Sequence, residues 1–523
     1  MGETVMTVTG TTVGRSRNLV LAAMIFAVAM TFIDQTIVSI AAPNIQRELG
    51  LSSTGVQWAI NAYLLSLAAL FAFGGRLADT VGHRSMVTLG VVVFATSSAM
   101  CGLTPKGSAA EAWIVIFRVL QGAGGAIMFP AALAIVVQTF ALRERGRALA
   151  IFFGIAGGLT AIGPILGGVL TQWTWRAIFW VNIPVAVIAL ILIVISKPTT
   201  AHEGASTDLR GLVLIAAGVG LSVFGFQQSL VWGWGNPAIG LTIAAGLILL
   251  IVFGITETRV TSPLIEVKIF RIRAFLVENL VLGVAMLTFV PVFFFASEYA
   301  QISLGDSASN AGVFLLFFFI GFAVMAQVGG RMLDRRGARL PVMAGCILAA
   351  VGFYLWAGDV TRLTFGSQQW DIIVAGAGMG LMLGPASTDA VNRASRLSYG
   401  EATGITQTVR NYAASLGLAV LGTILVSQMK SRLTTSLVAQ GLSRAKAATQ
   451  ASLIAQSSQS GNGKVSSIPH FVRLDFAHAT RTVFYVMAGI MAVAAVVAIL
   501  GLERGLQADP DDAGAEPDGR ATA

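Results

Sequence analysis

Residues Gly74 to Arg84 read GGRLADTVGHR, and residues Gly329 to Arg339 read GGRMLDRRGAR. Six of the eleven aligned positions are identical: Gly, Gly, Arg, Asp, Gly and Arg. Each copy follows one apolar run of helix length and precedes another. A fixed offset between two such copies describes a duplicated chain, in which each half carries a charged, glycine-rich hinge between its second and third helices.

Composition sets the solvent. Hydrophobic residues make up 55% of the 523 and charged residues 11%, against about 25% charged in soluble domains. The mean hydropathy is +0.78. The charges cluster between long apolar runs, the pattern of a polytopic helical membrane protein. The runs neither alternate nor shorten as a β-barrel would require. The net charge of +9 comes from Lys and Arg in short loops, where they set orientation, so nucleic acid is not an expected partner. Cys101 and Cys346 both lie in apolar runs and the four histidines are scattered. No disulfide and no metal site is expected. The first apolar run is too long for the core of a cleaved leader, so it reads as a retained span.

Fourteen spans are expected, at 18–40, 57–76, 86–104, 112–138, 148–170, 177–196, 210–229, 238–256, 275–297, 311–330, 340–358, 371–390, 402–426 and 482–502. Each suffices to cross roughly 30 Å of hydrocarbon as a helix. Twenty-one Lys and Arg fall on the side of the N-terminus and four in the short loops opposite, which places both termini in the cytoplasm. Between the two motif copies there is room for an extra pair of spans, giving a 6 + 2 + 6 plan. The segments are a cytoplasmic N-terminus (1–17), a six-helix bundle (18–196), an inserted pair with connectors (197–273), and a second six-helix bundle (274–506). That second bundle carries an exterior loop over 428–481, with a short helical hairpin expected near 430–457. Residues 507–523 are acidic and Pro/Gly/Ala-rich, the composition of a disordered tail.

Gly75 and Gly82, with Gly330 and Gly337 in the second copy, let the backbone turn tightly and approach a neighbour. Asp79 is placed to cap N–H groups or to pair with Arg84, and Asp334 and Arg339 repeat the arrangement. Two copies at matching places read as a symmetric gate rather than two ordinary loops.

Asp34, in TFIDQTIVSIAAP, is the first charge well inside a span, and Arg118, in RVLQGAGGAIMFP, is the second. Span one runs outward and span four inward, so each residue lies about six positions, or roughly 9 Å, below the outer face. An ionisable group at that depth faces a bundle interior or a water-filled cavity. A carboxyl group there suits a reversible proton carrier, with Arg118 sharing its polar network; the plainer alternative is a permanent structural ion pair. Span five carries Gly163, Pro164, Gly167 and Gly168 within GPILGG. Small residues at this spacing let helices pack closely, and proline invites a kink.

Glu278, Asp389 and Arg410 lie nearer the cytoplasmic ends of their spans and read as interfacial charges, with a second polar cluster as the alternative. The position 255 residues beyond Asp34 is Phe289, so the second half lacks the equivalent acid, and any proton coupling is expected to be one-sided. Spans nine and ten are rich in phenylalanine. Phe289, Phe293 and Phe318, with Gln35 and Gln121 beside the acid and the base, are the candidate contacts for an apolar or cationic ligand.

These residues carry a family resemblance. GRLADTVGHR is similar to the loop signature of the major facilitator superfamily, with Thr80 and His83 at positions that are often basic there. RVLQGAGGA resembles the proton-transfer motif of its drug exporters and GPILGG the antiporter motif. IDQTIVSIAAP and WRAIFWVNIPV (Trp175–Val185) resemble the fourteen-helix drug:proton antiporters, the EmrB/QacA-like group. The resemblance covers nearly all of residues 18–502.

The resemblance implies a monomeric, multi-pass transporter of the bacterial plasma (inner) membrane rather than an enzyme. It implies that amphipathic or cationic small molecules leave by alternating access as protons enter, with Asp34 carrying the proton and no cofactor beyond the proton-motive force. No GxxxxGK[ST] stretch is present for ATP. Two alternatives stay open: export of a native lipid, siderophore or other metabolite, and a receptor or scaffold that keeps the fold without moving solute.

Overall fold

A computed structural model describes residues 11–51, 53–140, 142–198, 208–261, 263–393, 399–459, 468–503 and 505. The expectations for residues 1–10, for the middle of the connector at 199–207 and for the tail from 507 lie outside this set.

Those residues are helical almost throughout. In order they form α1 (Thr11–Leu49), α2 (Ser53–Val81), α3 (His83–Gly102), α4 (Ala110–Thr139), α5 (Leu142–Trp173), α6 (Ala177–Trp180), α7 (Asn182–Ser196), α8 (Leu209–Trp232) and α9 (Pro237–Glu257). Then follow α10 (Arg273–Tyr299), α11 (Ala308–Arg336), α12 (Arg339–Asp359), α13 (Phe365–Arg393), α14 (Tyr399–Ala439), α15 (Arg444–Gln459) and α16 (His470–Gly501). In hydrocarbon every backbone N–H and C=O needs an internal partner, which is why apolar runs of this length become helices. The surface suits that solvent: Leu241, Ile248, Ile251 and Val194 are exposed while Asp34, Arg118 and Glu278 are buried.

Among the described residues twelve helical stretches are long and apolar enough to cross a membrane, or thirteen if the two arms of α2 count as one span. The expected fourteen is not reached on this criterion. Helix α2 is bent by 53° between Trp58–Phe71 and Phe73–Val81, which divides its apolar run. Helix α5 has 32 residues, but many of its side chains lie outside the described set and it is not among the twelve.

The sequence repeat is also a packing repeat. Gly74 of α2 stands against α4 so closely that a Cβ would lie 2.1 Å from the Ala126 carbonyl oxygen; at Gly329 of α11 the same atom would lie 2.5 Å from that of Leu381 on α13. Both the glycines and their partners are separated by 255 residues. Gly90 of α3 against Gly124 of α4 likewise recurs as Gly345 of α12 against Gly378 of α13. At the hinges themselves, Gly82 (φ 107°) joins α2 to α3 and Gly337 (φ 79°) joins α11 to α12. These positive φ values are strained for any residue with a side chain.

Two apolar cores follow from the two halves. One joins α1 to α4 with α5 and α7 around Phe71, Phe94 and Phe129, and the other joins α10 to α14 and α16 around Phe293, Phe318 and Trp356. Helix α8 packs against both α2 and α14, whereas α9 rests on α8. Ile215, Val219 and Val223 of α8 share one cluster with Ala68 and Ala69 of α2 and with Ala402 and Ile405 of α14. Helix α14 continues to Ala439, turns at Gly441 (φ 96°) and is followed by α15, whose Ala447 and Ala451 join Leu433 and Leu437. This is the hairpin expected near 430–457.

Candidate functional site

Asp34 and Arg118 meet. Both are buried, at 1% exposure, and the Arg118 Nη1 donates to Asp34 Oδ2. Gln121, one turn along α4, completes a three-membered network: its Nε2 donates to Asp34 Oδ1 at 2.9 Å, and its Oε1 accepts from Arg118 Nη1 at 2.9 Å. Arg118 Nε donates to the Ala59 carbonyl of α2 at 2.7 Å. The guanidinium lies 4.5 Å from the centroid of the Tyr63 ring. A buried ion pair is tolerated only when its remaining donors and acceptors are satisfied, and here α2 and α4 supply them.

Helix α5 clamps this part of α1. A Cβ at Gly163 would lie 2.0 Å from Thr36 Oγ1, and one at Gly167 would lie 2.9 Å from Ile37 Cγ1. Gly168 is buried beside them. The antiporter-like stretch therefore touches the two residues that follow Gln35 in α1. The Pro164 side chain, and with it the expected kink, lies outside the described residues.

A cavity opens between the halves, with about 1160 Å³ of empty space, its mouth included. Phe32, Phe71 and Phe129 wall it from the first half, and Phe289 and Phe322 from the second. Gln35, Gln407 and Asn411 give it polar edges, and Asp334 and Arg410 give it charge. Apolar walls with a few convergent polar groups are the general form of a small-molecule site. Asp34 is not on the wall. Its neighbours Thr31 and Gln35 are, and the Tyr63 hydroxyl donates to the Thr31 carbonyl at 3.2 Å.

The candidate cargo contacts divide. Gln35 and Phe289 line the cavity. Gln121, Phe293 and Phe318 do not. Gln121 is fully buried in the Asp34 network. Phe293 and Phe318 form a second layer behind Phe289, with ring centroids at 5.1 and 6.4 Å from it. Phe322, from the phenylalanine-rich span ten, lines the cavity too; Phe32, Phe71 and Phe129 carry no mark in the sequence, because an apolar helix in an apolar solvent shows no periodic contrast between its inner and outer faces.

The charges read as interfacial also move inward. Glu278 is fully buried and Asp389 nearly so, while Arg410 faces the cavity. At the hinges Asp79 is buried and meets His83 Nε2 at 3.1 Å, so the histidine that departs from the basic pattern supplies the acid with a partner. Gly75 is buried beside it. In the second copy Gly330 and Asp334 line the cavity, and Arg339 donates to the Ile499 carbonyl at 2.8 Å.

Two repeated helical units around a central cavity, each hinged on a glycine loop, are the architecture of a membrane transporter. The chain belongs to the Major Facilitator Superfamily, whose family model matches residues 24–418. It is 34% identical over 418 residues to the tetracenomycin C resistance and export protein of Streptomyces glaucescens, covering 78% of this chain and 76% of that protein. It is 34% identical over 403 residues to the cephamycin export protein CmcT of Amycolatopsis lactamdurans, covering 75% and 81%, and 31% identical to the puromycin resistance protein pur8 of Streptomyces alboniger, covering 77% and 81%. In fold it is similar to an inward-facing, unoccupied bacterial homologue of the human lysosomal transporter Spinster (TM-score 0.58, 17% identity, 93% and 97% coverage). It is also similar to the partially occluded, inward-open xylose transporter XylE of E. coli (TM-score 0.57, 11% identity, 94% and 98% coverage). The chain is thus a multi-span transporter whose relatives export antibiotics or confer resistance to them, and it is not an enzyme.

Proposed function

We propose that the chain expels an amphipathic small molecule in exchange for inward-moving protons, as a member of the fourteen-helix drug:proton antiporters. The observation that carries this reading is the Asp34–Arg118–Gln121 network, buried one residue behind the cavity wall at Gln35. A carboxyl group held that close to the cargo path can exchange its proton when cargo or a rocking motion disturbs Arg118. The neighbouring glycines, Gly163 and Gly167, give α1 and α5 a tight and slidable contact. The two loop copies, with Gly75, Asp79, Gly82 and Arg84 and with Gly330, Asp334, Gly337 and Arg339, gate the cytoplasmic side.

Fourteen spans follow if the bent α2 and the glycine-rich α5 both cross the bilayer, with α8 and α9 as the inserted pair. The positive-inside distribution then puts both termini in the cytoplasm of a bacterium. The protein acts as a monomer and needs no cofactor beyond the proton-motive force.

Cargo is apolar and aromatic in the main, to match the phenylalanine walls. Asp334 and Arg410 admit either sign of charge. A second reading, a dedicated exporter of one metabolite, is favoured by relatives named for single compounds, tetracenomycin C and cephamycin.

Purified protein in proteoliposomes, loaded with a fluorescent lipophilic compound and given an imposed pH gradient, tests the proposal. Flux that follows the gradient supports it. Flux indifferent to the gradient removes proton exchange, and a response to one metabolite alone selects the second reading.

A further inference from the structure

Glu278 lies in the second turn of α10 and is fully buried. It belongs to the core of the second half and not to the cavity wall. Neither of its carboxyl oxygens meets a hydrogen-bond donor among the described residues. Glu278 interacts with another carboxyl, that of Asp389 on α13, a helix packed against α10.

Among the described residues Arg393 serves the group. Arg393 Nε donates to Asp389 Oδ2 at 2.7 Å, and its Nη1 donates to Glu503 Oε2, just beyond α16, also at 2.7 Å. Among the described residues Asp389 and Glu503 thus both bond to Arg393, and the deepest carboxyl, that of Glu278, has no donor.

That arrangement is unstable as three carboxylates. Two like charges buried together repel, and a buried carboxylate without a donor loses its hydration for nothing. A single proton removes both difficulties, because one carboxyl then donates to the other, as in a carboxylate dyad.

We propose that Glu278 and Asp389 together form a second proton-binding site, in the C-terminal half, with Glu278 carrying the proton and Asp389 accepting its hydrogen bond under the orienting hold of Arg393. The site has no counterpart in the sequence repeat. It makes proton binding two-sided: Asp34 in one bundle, Glu278 in the other. The inference stands whether or not Asp34 drives transport.

Infrared spectroscopy of the full-length protein in nanodiscs, without cargo, tests it. A protonated carboxyl gives a carbonyl stretch that shifts in heavy water, apart from the bands of ionised carboxylates. The wild type is expected to show this band at neutral pH and to lose it as pH rises. Glu278→Gln is expected to remove the band, Glu278→Asp to move it, and Asp34→Asn to leave the Glu278 component in place. A wild type with no exchangeable band overturns the proposal without recourse to any variant, and so does a band that Glu278→Gln leaves unchanged in position and intensity. Sodium or potassium binding that depends on Glu278 and suppresses the band assigns the site to a metal cation instead.

Discussion

Tyr63 lies with its ring 4.5 Å from the Arg118 guanidinium while its hydroxyl reaches the Thr31 carbonyl. One side chain thus touches the ion pair at one end and the backbone of a cavity residue at the other. Tyr63→Phe keeps the ring and removes the tether. Cargo binding is expected to survive and gradient-driven flux to fall several-fold, measured side by side as ligand-induced thermal shift and proteoliposome transport. Equal flux in the two proteins would show that the tether transmits nothing.

Asp34→Asn keeps the shape of the network and discards its charge. Arg118 retains the Ala59 carbonyl and Gln121 as acceptors, so the loss of stability should fall below the about 3–5 kcal/mol of a fully broken buried pair. The expected outcome is a folded protein, by size-exclusion profile and melting curve, whose flux no longer responds to a pH gradient. Arg118→Ala leaves Asp34 with Gln121 alone and is expected to lower the melting temperature more than Asp34→Asn does.

Phe289 and Phe293 are adjacent turns of one helix with different duties. Phe289→Ala and Phe322→Ala enlarge the cavity and should weaken binding of aromatic cargo roughly tenfold with little change in melting temperature. Phe293→Ala and Phe318→Ala open the core behind it, where a lost phenylalanine costs about 3–5 kcal/mol. Those variants should lose stability first. Dye-binding titrations and thermal unfolding on the same four proteins separate the outcomes.

Gly74→Ala and Gly329→Ala place a methyl group against backbone oxygen in equivalent contacts, and backbone cannot turn aside as a side chain does. Each is expected to destabilise by at least about 1–3 kcal/mol, with similar effects in the two halves. A marked difference between them would show that the repeat in packing is not a repeat in energy.

The sequence exposes what costs energy in a membrane. A charge inside an apolar run stands out, so Asp34 and Arg118 were visible, and counting residues along two oppositely directed helices put them at one depth. The hinge glycines were visible because their pattern occurs twice. What the sequence hides is lateral position. Gln121 looked like a cavity residue because it neighbours Arg118, yet one helical turn aims it at Asp34. Glu278 lies near the cytoplasmic end of its span, and nothing in the sequence shows that the fold buries it completely. Among phenylalanines the face of the helix decides which line the cavity, and no polar stripe marks that face when both sides are greasy.

Helix α8 is held by both bundles at once, its Ile215, Val219 and Val223 set among alanines from α2 and α14. If those two helices part during a transport cycle, α8 must release one of them, and its newly bare aliphatic edge would be met by acyl chains. The energy difference between the two resting states of such a machine then depends on the lipid beside it, and membranes of different chain length or packing would set different turnover rates for one and the same polypeptide.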